Sequence, residues 1–279
     1  KILPDVCLDV LMTSSYLEVY QNHPAIQNNI PYDQKHLFRN PLRFLFLVNH
    51  LRKNNYDAVF SSSNPDAFSV SQALFCRLII KGRSVGFDWK DSAKIYSDVV
   101  RGNTTIHYSA AQVDLWRHFD AQAKFTFPKL YFIDKNTQGL DQNILLWLGA
   151  TGNKILNEEL IKTLIKIFEE INLKYVLAAG PFDEKMIANY SPGLRDKILI
   201  QNLDINGIAS WYKTFKIICM PDTGPMHMVA ALDIPLIQVF VNSNVKQYGY
   251  RGPNKYIIDK EIDADLLKQF VRKQFDSAR

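Results

Sequence analysis

The sequence predicts an α/β protein made of two domains, each built around a doubly wound parallel sheet. Short apolar runs typical of buried strands alternate with segments of helical periodicity, which is the pattern of strands joined by crossover helices. This alternation stops once, in an aperiodic stretch at 121–139 that contains Pro128 and Gly139, and then starts again. The chain of 279 residues is also longer than a usual domain of about 100–200 residues. We therefore expect one domain over 1–135 and a second over 136–279.

In the first domain, apolar runs predict strands at Val6–Met12, Ala25–Ile30, Asp57–Phe60 and Ser84–Phe87. Helical spacing predicts helices from Ser14, over Pro41–Asn54, over Ala67–Ile80 and between Thr104 and Asp120. In Pro41–Asn54, the residues Leu42, Leu45 and Phe46 follow helical spacing, and cations near the end complement the helix dipole.

The second domain repeats the pattern. Predicted strands are Ile144–Leu148, Lys174–Ala179, Ile198–Ile200, Ile217–Met220 and Leu236–Phe240. Predicted helices are Glu158–Ile171, Glu184–Asn189, Ala209–Phe215, Pro225–Leu232 and Glu261–Phe275. Asn157 is placed to cap the first of these helices, and we expect the last one to pack back across the first domain.

Composition excludes several protein classes. With 47% apolar and 22% charged residues the chain buries a core, so a disordered or fibrous protein is excluded. The net charge of +5 is spread along the chain, which argues against a nucleic-acid-binding tail and weakly favours an anionic ligand or membrane surface. Cys7, Cys76 and Cys219 stand in apolar runs, so we expect buried thiols and no disulfide. The histidines lack partners at metal-ligand spacing, so no metal site is expected.

Ligands of open α/β sheets bind at the carboxyl ends of the strands, so loops directly after strands are the candidate sites. Gly149, Thr151, Gly152 and Lys154 follow the strand Ile144–Leu148. Glycines let backbone N–H groups approach a phosphate, to which Thr151 adds a hydroxyl and Lys154 a charge. The same residues also suit an ordinary tight turn with a surface lysine, and the loop alone does not decide between these readings.

A second loop carries Asp183 and Glu184 after the strand Lys174–Ala179. A carboxylate at this place can accept a hydrogen bond from a ribose hydroxyl. It can equally cap the following helix, since acidic residues are favoured in a first turn without any ligand.

The third loop, Asp222–His227, follows the strand Ile217–Met220. Thr223 or Gly224 can cap a helix that has Pro225 in its first turn, so the free amides and the helix dipole favour an anion there. A helix cap explains Thr-Gly-Pro but not an Asp and a His on either side of it. We therefore expect Asp222 to face a ligand and not to act as a structural cap.

Asp222–His227 followed by Ala230–Leu232 resembles the D-[ST]-G-x-x-H-x-x-A-A signature of glycosyltransferase family 9, the lipopolysaccharide heptosyltransferases. Other segments resemble the same family, namely Gly149–Lys154, Asn206–Gly207 with Ser210, Tyr56–Phe60 and Arg83–Phe87. The resemblance covers most of the chain and is strongest from Leu145 to Phe240.

The resemblance implies a GT-B type fold of two facing Rossmann-like domains, the first on the acceptor side and the second binding the nucleotide sugar. It implies inverting, metal-independent transfer of heptose from ADP-heptose to the lipid A–inner core of lipopolysaccharide, without a cofactor or nucleic acid. It also implies a cytoplasmic protein in peripheral contact with the inner membrane, held there by electrostatics. Gly149, Thr151, Gly152, Lys154 and the segment Asp222–His227, with Met226, would hold the diphosphate and sugar. Asp183 or Glu184 would hold the ribose, and Lys154 and Asp222 would be catalytic.

Some features depart from the family pattern. The family opens with a strand and a Gly-Asp turn whose Asp is the expected general base, and this unit would lie upstream of Lys1. Ser62, after the strand Asp57–Phe60, is a candidate for binding acceptor hydroxyls or a residue of a plain polar loop. Two alternatives stay open: a GT-B enzyme using another nucleotide sugar, and a catalytically degenerate nucleotide-binding relative.

Overall fold

The structure, a computed structural model, describes residues 6–32, 40–126, 129–135 and 143–276. These residues form two compact units: the described parts of 1–17 and 25–128, and the segment 18–24 with the described parts of 129–279. The predicted boundary at residue 136 and part of the predicted linker at 121–139 lie outside the described residues.

The first unit contains two small parallel sheets. Its strands are β1 (Leu8–Thr13), β2 (Ile26–Tyr32), β3 (Ala58–Phe60), β4 (Arg83–Asp88) and β5 (Asp98–Arg101). Its helices are α2 (Pro41–Lys53), α3 (Val70–Ile79) and α4 (Tyr108–Arg117), while the short helix α1 (Leu17–Tyr20) lies mostly in the segment 18–24 of the second unit. Strands β1 and β2 form one sheet, and β3, β4 and β5 form the other in that order.

The second unit is built on one six-stranded parallel sheet. Its strands are β6 (Ile144–Trp147), β7 (Tyr175–Ala179), β8 (Ile198–Ile200), β9 (Ile217–Pro221), β10 (Leu236–Phe240) and β11 (Lys255–Asp259). The order across the sheet is β11, β10, β9, β6, β7, β8, so β6 and β9 are central neighbours. Its helices are α5 (Glu158–Glu170), α6 (Glu184–Ile187), α7 (Pro192–Arg195), α8 (Ile205–Tyr212), α9 (Gly224–Ala231), α10 (Val245–Tyr248) and α11 (Ala264–Asp276).

Both faces of the six-stranded sheet are covered. Successive side chains of a strand point to opposite faces, so Ile144 and Leu146 of β6 join one buried cluster while Leu145 and Trp147 join another. Helices α5 and α11 contribute to the first cluster, and α8 and α9 to the second. The sheet is therefore doubly wound, as predicted.

Capping side chains set the starts of the long helices. Asn157 accepts a hydrogen bond from the Leu160 amide at 2.8 Å, so the predicted cap of α5 is confirmed. Asp204 caps α8 in the same way, through the amide of Gly207 at 2.8 Å. This cap sets the start of α8 at Ile205. The cap was not predicted, which is why the predicted helix start at Ala209 lies four residues too late.

The structure differs from the sequence-based predictions in three respects. Helix α11 buries Leu267 and Val271 in the core of its own unit, whereas it was expected to pack across the first domain. Cys7 is exposed, whereas Cys76 and Cys219 are buried thiols as expected. Strands β5 and β11 were not predicted, because their sequences Asp98–Arg101 and Lys255–Asp259 are short and carry charges.

Helix α2 has apolar residues on two sides. Its inner side packs Val48 and Leu51 into a cluster with residues of β1, β2, β3 and α3. Leu42, Leu45 and Phe46, whose spacing predicted the helix, are exposed instead. None of the helices in the described part of the chain is long and apolar enough to cross a membrane.

Replacing Leu164 in α5 with Ala should destabilise the second unit. Leu164 is fully buried between α5 and the sheet, and deleting such a side chain costs about 2–5 kcal/mol through lost burial and the cavity left behind. The matched control is Lys166→Ala on the exposed side of the same helix, which should change stability by less than about 0.5 kcal/mol. Urea unfolding measures both, and equal stability of the two variants would contradict the packing described.

Candidate functional site

The candidate site lies in the second unit, where β6, β9 and β10 end side by side. Because these strands are parallel neighbours, the loops after them meet at one edge of the sheet. The loops are 148–154 after β6, 222–227 after β9 and 241–250 after β10. Asn242 donates a hydrogen bond from its Nδ2 to the carbonyl oxygen of Asn153 at 2.8 Å, which ties the first loop to the third.

The loop after β6 turns sharply and ends in a lysine. Gly152 has a φ of +60°, a left-handed conformation that costs glycine little, and it begins a single 3₁₀ turn ending at Lys154. Gly149 is buried, while Thr151 and Gly152 are exposed to solvent at the strand end. The loop thus leaves the Thr151 side chain and the backbone around Gly152 accessible to a ligand.

Lys154 and Asp222 form an ion pair across the neighbouring strand ends. Lys154 Nζ donates to Asp222 Oδ2 at 2.9 Å, and the Lys154 side chain is 35% exposed while that of Asp222 is 1% exposed. Nζ also lies 5.7 Å from the centre of the Tyr248 ring, within the range of a cation–π contact. The lysine is therefore held at the mouth of the site with its charge partly open to solvent.

Asp222 keeps one oxygen without a hydrogen bond among the described residues. Its Oδ1 is buried and unpartnered, and His227 Nε2 lies beyond hydrogen-bond range at 3.7 Å. A buried carboxylate oxygen without a donor costs free energy, so such atoms usually have a partner that arrives with water or a ligand. Asp222 is therefore suited to accept one further hydrogen bond.

Helix α9 begins directly beside this carboxylate. Thr223 occupies the N-cap position, but its Oγ1 lies 3.3 Å from the Pro221 carbonyl oxygen and caps no amide. The Met226 amide donates to the Thr223 carbonyl oxygen at 3.0 Å and Pro225 lacks an N–H, so the amide that this helix start offers to an anion is that of Gly224. A Cβ added at Gly224 would meet no atom within 4 Å, so the backbone at this helix start is open.

His227 lies between Asp222 and Tyr250. Its Nδ1 lies 3.0 Å from the Tyr250 hydroxyl. Burial lowers the pKa of the His227 imidazole, Asp222 partly opposes this shift and Lys154 adds to it, so the ring is neutral near pH 7. Burial, helped by Asp222, raises the pKa of Tyr250 to about 12, so its hydroxyl keeps its proton. We assign the imidazole proton to Nε2, which lets Nδ1 accept from Tyr250 and directs Nε2–H towards Asp222.

Gln238 holds Tyr250 in this position, and the sequence analysis missed both residues. Gln238 is fully buried in the middle of β10; its Nε2 donates to the Tyr250 carbonyl at 2.8 Å and its Oε1 accepts from the Tyr250 amide at 2.7 Å. A glutamine inside an otherwise apolar central strand is a signal for a buried hydrogen-bonded pair. The sequence does not give the partner, which lies twelve residues away.

Asp183 and Glu184 separate into different roles. The Asp183 carboxylate is partly buried and accepts hydrogen bonds from the amides of Gly180, at 2.8 Å, and Ala150. Burial raises its pKa and these amides oppose the shift. Asp183 therefore ties the loop after β7 to the loop after β6, and a Cβ on Gly149 would lie 2.4 Å from its Oδ2. Glu184 is exposed and open to a ligand, so ribose binding by Glu184 stays a prediction.

Two further predicted site residues lie elsewhere. The Met226 side chain is fully buried in the core of the second unit, so the expectation that it binds substrate is wrong for the side chain. Ser62 is exposed in the first unit, where its carbonyl oxygen accepts a hydrogen bond from the Tyr108 hydroxyl at 3.4 Å. Its role in binding an acceptor stays a prediction.

Comparison with known proteins agrees with the resemblance drawn from the motifs. The sequence matches glycosyltransferase family 9 (heptosyltransferase) over residues 45–273. It is 22% identical over 304 residues to lipopolysaccharide heptosyltransferase 1 of Escherichia coli O18:K1:H7 (strain RS218 / NMEC), covering 100% of this chain and 91% of that protein.

Solved structures give the same fold. The E. coli heptosyltransferase WaaC with ADP matches with a TM-score of 0.73 at 18% identity, covering 98% of this chain and 91% of that one. The E. coli ADP-heptose lps heptosyltransferase II matches with a TM-score of 0.70 at 13% identity, covering 99% and 91%. The prediction of an α/β fold of GT-B type is confirmed. With the family match over most of its length, the chain belongs to glycosyltransferase family 9 and is a heptosyltransferase-like glycosyltransferase.

Proposed function

We propose that the protein transfers heptose from ADP-heptose to the inner core of lipopolysaccharide, with inversion at the sugar carbon and without a metal ion. The names of similar proteins support this substrate class: one is a lipopolysaccharide heptosyltransferase, one is a heptosyltransferase bound to ADP, and one uses ADP-heptose. Transfer would take place on the cytoplasmic side of the inner membrane, where the protein meets a lipid-linked acceptor.

The observation that carries this proposal is the ion pair of Lys154 with Asp222 beside the open start of α9. A departing nucleoside diphosphate gains negative charge as the glycosidic bond breaks. The Lys154 ammonium and the amides around Thr223 and Gly224 are fixed donors that can stabilise this charge without reorganising. Lys154 would thereby supply the positive charge that a metal ion provides in other transferases.

Asp222 would act on the sugar of the donor. Its Oδ2 orients Lys154, and its unpartnered Oδ1 is free to accept from a sugar hydroxyl. The neutral His227, held by Tyr250, would offer its Nε2–H to a phosphate or sugar oxygen. Thr151 and Glu184 would add contacts to the diphosphate and ribose, and Ser62 in the first domain would bind the acceptor.

Replacing Lys154 with Ala should weaken binding of ADP more than binding of adenosine. The lost charge acts only on the diphosphate, so we expect about a tenfold or larger loss for ADP and little change for adenosine. Calorimetry measures both ligands. Lys154→Ala also leaves the buried Asp222 carboxylate unpaired, so the double variant Lys154→Ala/Asp222→Asn tests the same loss without that uncompensated charge. An equal loss of affinity for ADP and adenosine in both variants contradicts a diphosphate role.

Asp222→Asn should lower turnover by about 10²-fold, which corresponds to about 2.7 kcal/mol, while the melting temperature stays close to the wild-type value. Asn keeps the shape and can still accept from Lys154, but it loses the charge that orients donor and lysine. The matched control is Asp196→Asn, an exposed carboxylate just after α7 in the same unit, which should keep wild-type turnover and melting temperature. If activity falls only in proportion to the folded fraction, Asp222 is structural.

His227 should make stability depend on pH. Its pKa is lowered in the folded state, so between that pKa and about 6.5 the unfolded chain binds a proton that the folded chain does not. Stability is therefore highest above pH 6.5 and falls as the pH drops through this window. His227→Gln should flatten the fall between about pH 7.5 and 5.5. Urea unfolding is measured across this range, and an unchanged slope in the variant refutes a lowered pKa for His227.

A further inference from the structure

Helices α2 and α3 present apolar side chains to solvent that the fold does not use. On α2, Leu42, Leu45 and Phe46 are 77%, 59% and 76% exposed. On α3, Val70, Leu74 and Leu78 are 52%, 54% and 41% exposed and repeat every four residues along one side. The two helices pack next to each other through Phe44 and Phe75, whose ring centres are 5.9 Å apart. We call these six exposed residues the apolar face.

The inner sides of both helices already satisfy the needs of the core. Val48, Leu51 and Ile79 are buried in one cluster, and Ala73 and Cys76 in a neighbouring one. The apolar face therefore adds nothing to core packing. Its residues Leu42, Leu45 and Phe46 line a shallow surface depression of about 540 Å³ together with Asn49 and Arg52. Groups of exposed large apolar side chains on a folded domain usually mark a binding surface.

The charged residues on α2 and α3 themselves are all positive. Helix α2 contains Arg43, Arg52 and Lys53 and no acidic residue, and α3 contains Arg77 and no acidic residue. Lys81 follows α3 directly and is exposed. In α2, Arg52 lines the same depression as Leu45 and Phe46, and in α3, Arg77 directly precedes Leu78. This arrangement matches the surface of an anionic bilayer, which attracts cations and accepts apolar side chains at the headgroup boundary.

We propose that the apolar face of α2 and α3, with the cations beside it, docks the protein on the anionic surface of a lipid bilayer. The idea rests on the proposed function in one respect, since a lipid-linked acceptor requires the protein to reach a membrane. It adds an apolar contribution to the purely electrostatic contact expected from the net charge. The helices lie on the surface and do not span the bilayer.

Vesicle cosedimentation of the full chain tests this. On phosphatidylcholine vesicles with about one-third phosphatidylglycerol, binding should be strong at about 0.1 M salt and should weaken at about 0.5 M salt without being abolished. Leu45→Ser/Phe46→Ser should reduce binding about tenfold or more at both salt concentrations. Arg52→Gln/Lys53→Gln should reduce it about 25-fold on the anionic vesicles, about fivefold per cation, and leave binding to pure phosphatidylcholine unchanged.

Controls of the same chemistry sit on the second unit. Leu266→Ser replaces another exposed leucine, and Lys185→Gln/Lys197→Gln removes two exposed cations. Both should bind vesicles like the wild type. Melting curves establish that every variant is folded, and variants of the apolar face should melt at the wild-type temperature because none of the replaced side chains is buried.

The outcomes separate this surface from the proposed function. Unchanged vesicle binding by the face variants, or equal losses in the controls, overturns the docking surface. The docking surface is also overturned if the wild type does not bind vesicles but forms a dimer in solution that dissociates in Leu45→Ser/Phe46→Ser. The apolar face is then a contact between two copies of the chain. ADP affinity measured on the same samples reports on the second unit alone. If ADP fails to bind while vesicle binding follows the expected pattern, the proposed function fails and the docking surface stands.

Discussion

The buried carboxylate of Asp222 is the constraint on which the candidate site depends. A charge removed from water is tolerated only with partners, and the strand order supplies one by placing β6 beside β9 so that Lys154 reaches Oδ2. The second oxygen stays without a donor in the described part of the chain. This oxygen is therefore suited to accept one further hydrogen bond.

Residues behind the site fix the ones that face it. Gln238, in the middle of the interior strand β10, holds the backbone of Tyr250 with two hydrogen bonds, and the Tyr250 hydroxyl holds His227. Asp183 performs a similar task between the loops after β6 and β7. Such buried polar contacts make geometry reproducible, because each misplacement would leave a donor or acceptor unpaired. The loops of the site are therefore prepared by the sheet before any ligand binds.

The sequence predicts those parts of the site whose signals are local. Gly149–Lys154 and Asp222–His227 each follow an apolar strand directly, so both loops are recognised from the chain itself, and the strand order then brings Lys154 to Asp222. The pairing of Gln238 with Tyr250 is not predictable in this way, because the two residues are twelve positions apart and the segment between them has no regular periodicity. The sequence left two roles possible for Asp183, a helix cap or a ligand contact. The structure shows that its carboxylate accepts hydrogen bonds from backbone amides, one of them in the neighbouring loop.

Helix α2 shows how the same pattern can mislead. Leu42, Leu45 and Phe46 follow the spacing of a buried helix face, yet the core takes the other side of the helix, with Val48 and Leu51. Periodicity shows that a face is apolar, and it does not say what covers that face. Polar residues at these three positions would serve the fold equally well and would avoid the exposed apolar surface. Their presence, on helices that carry cations and no acidic residue, is the reason for proposing a contact outside the fold.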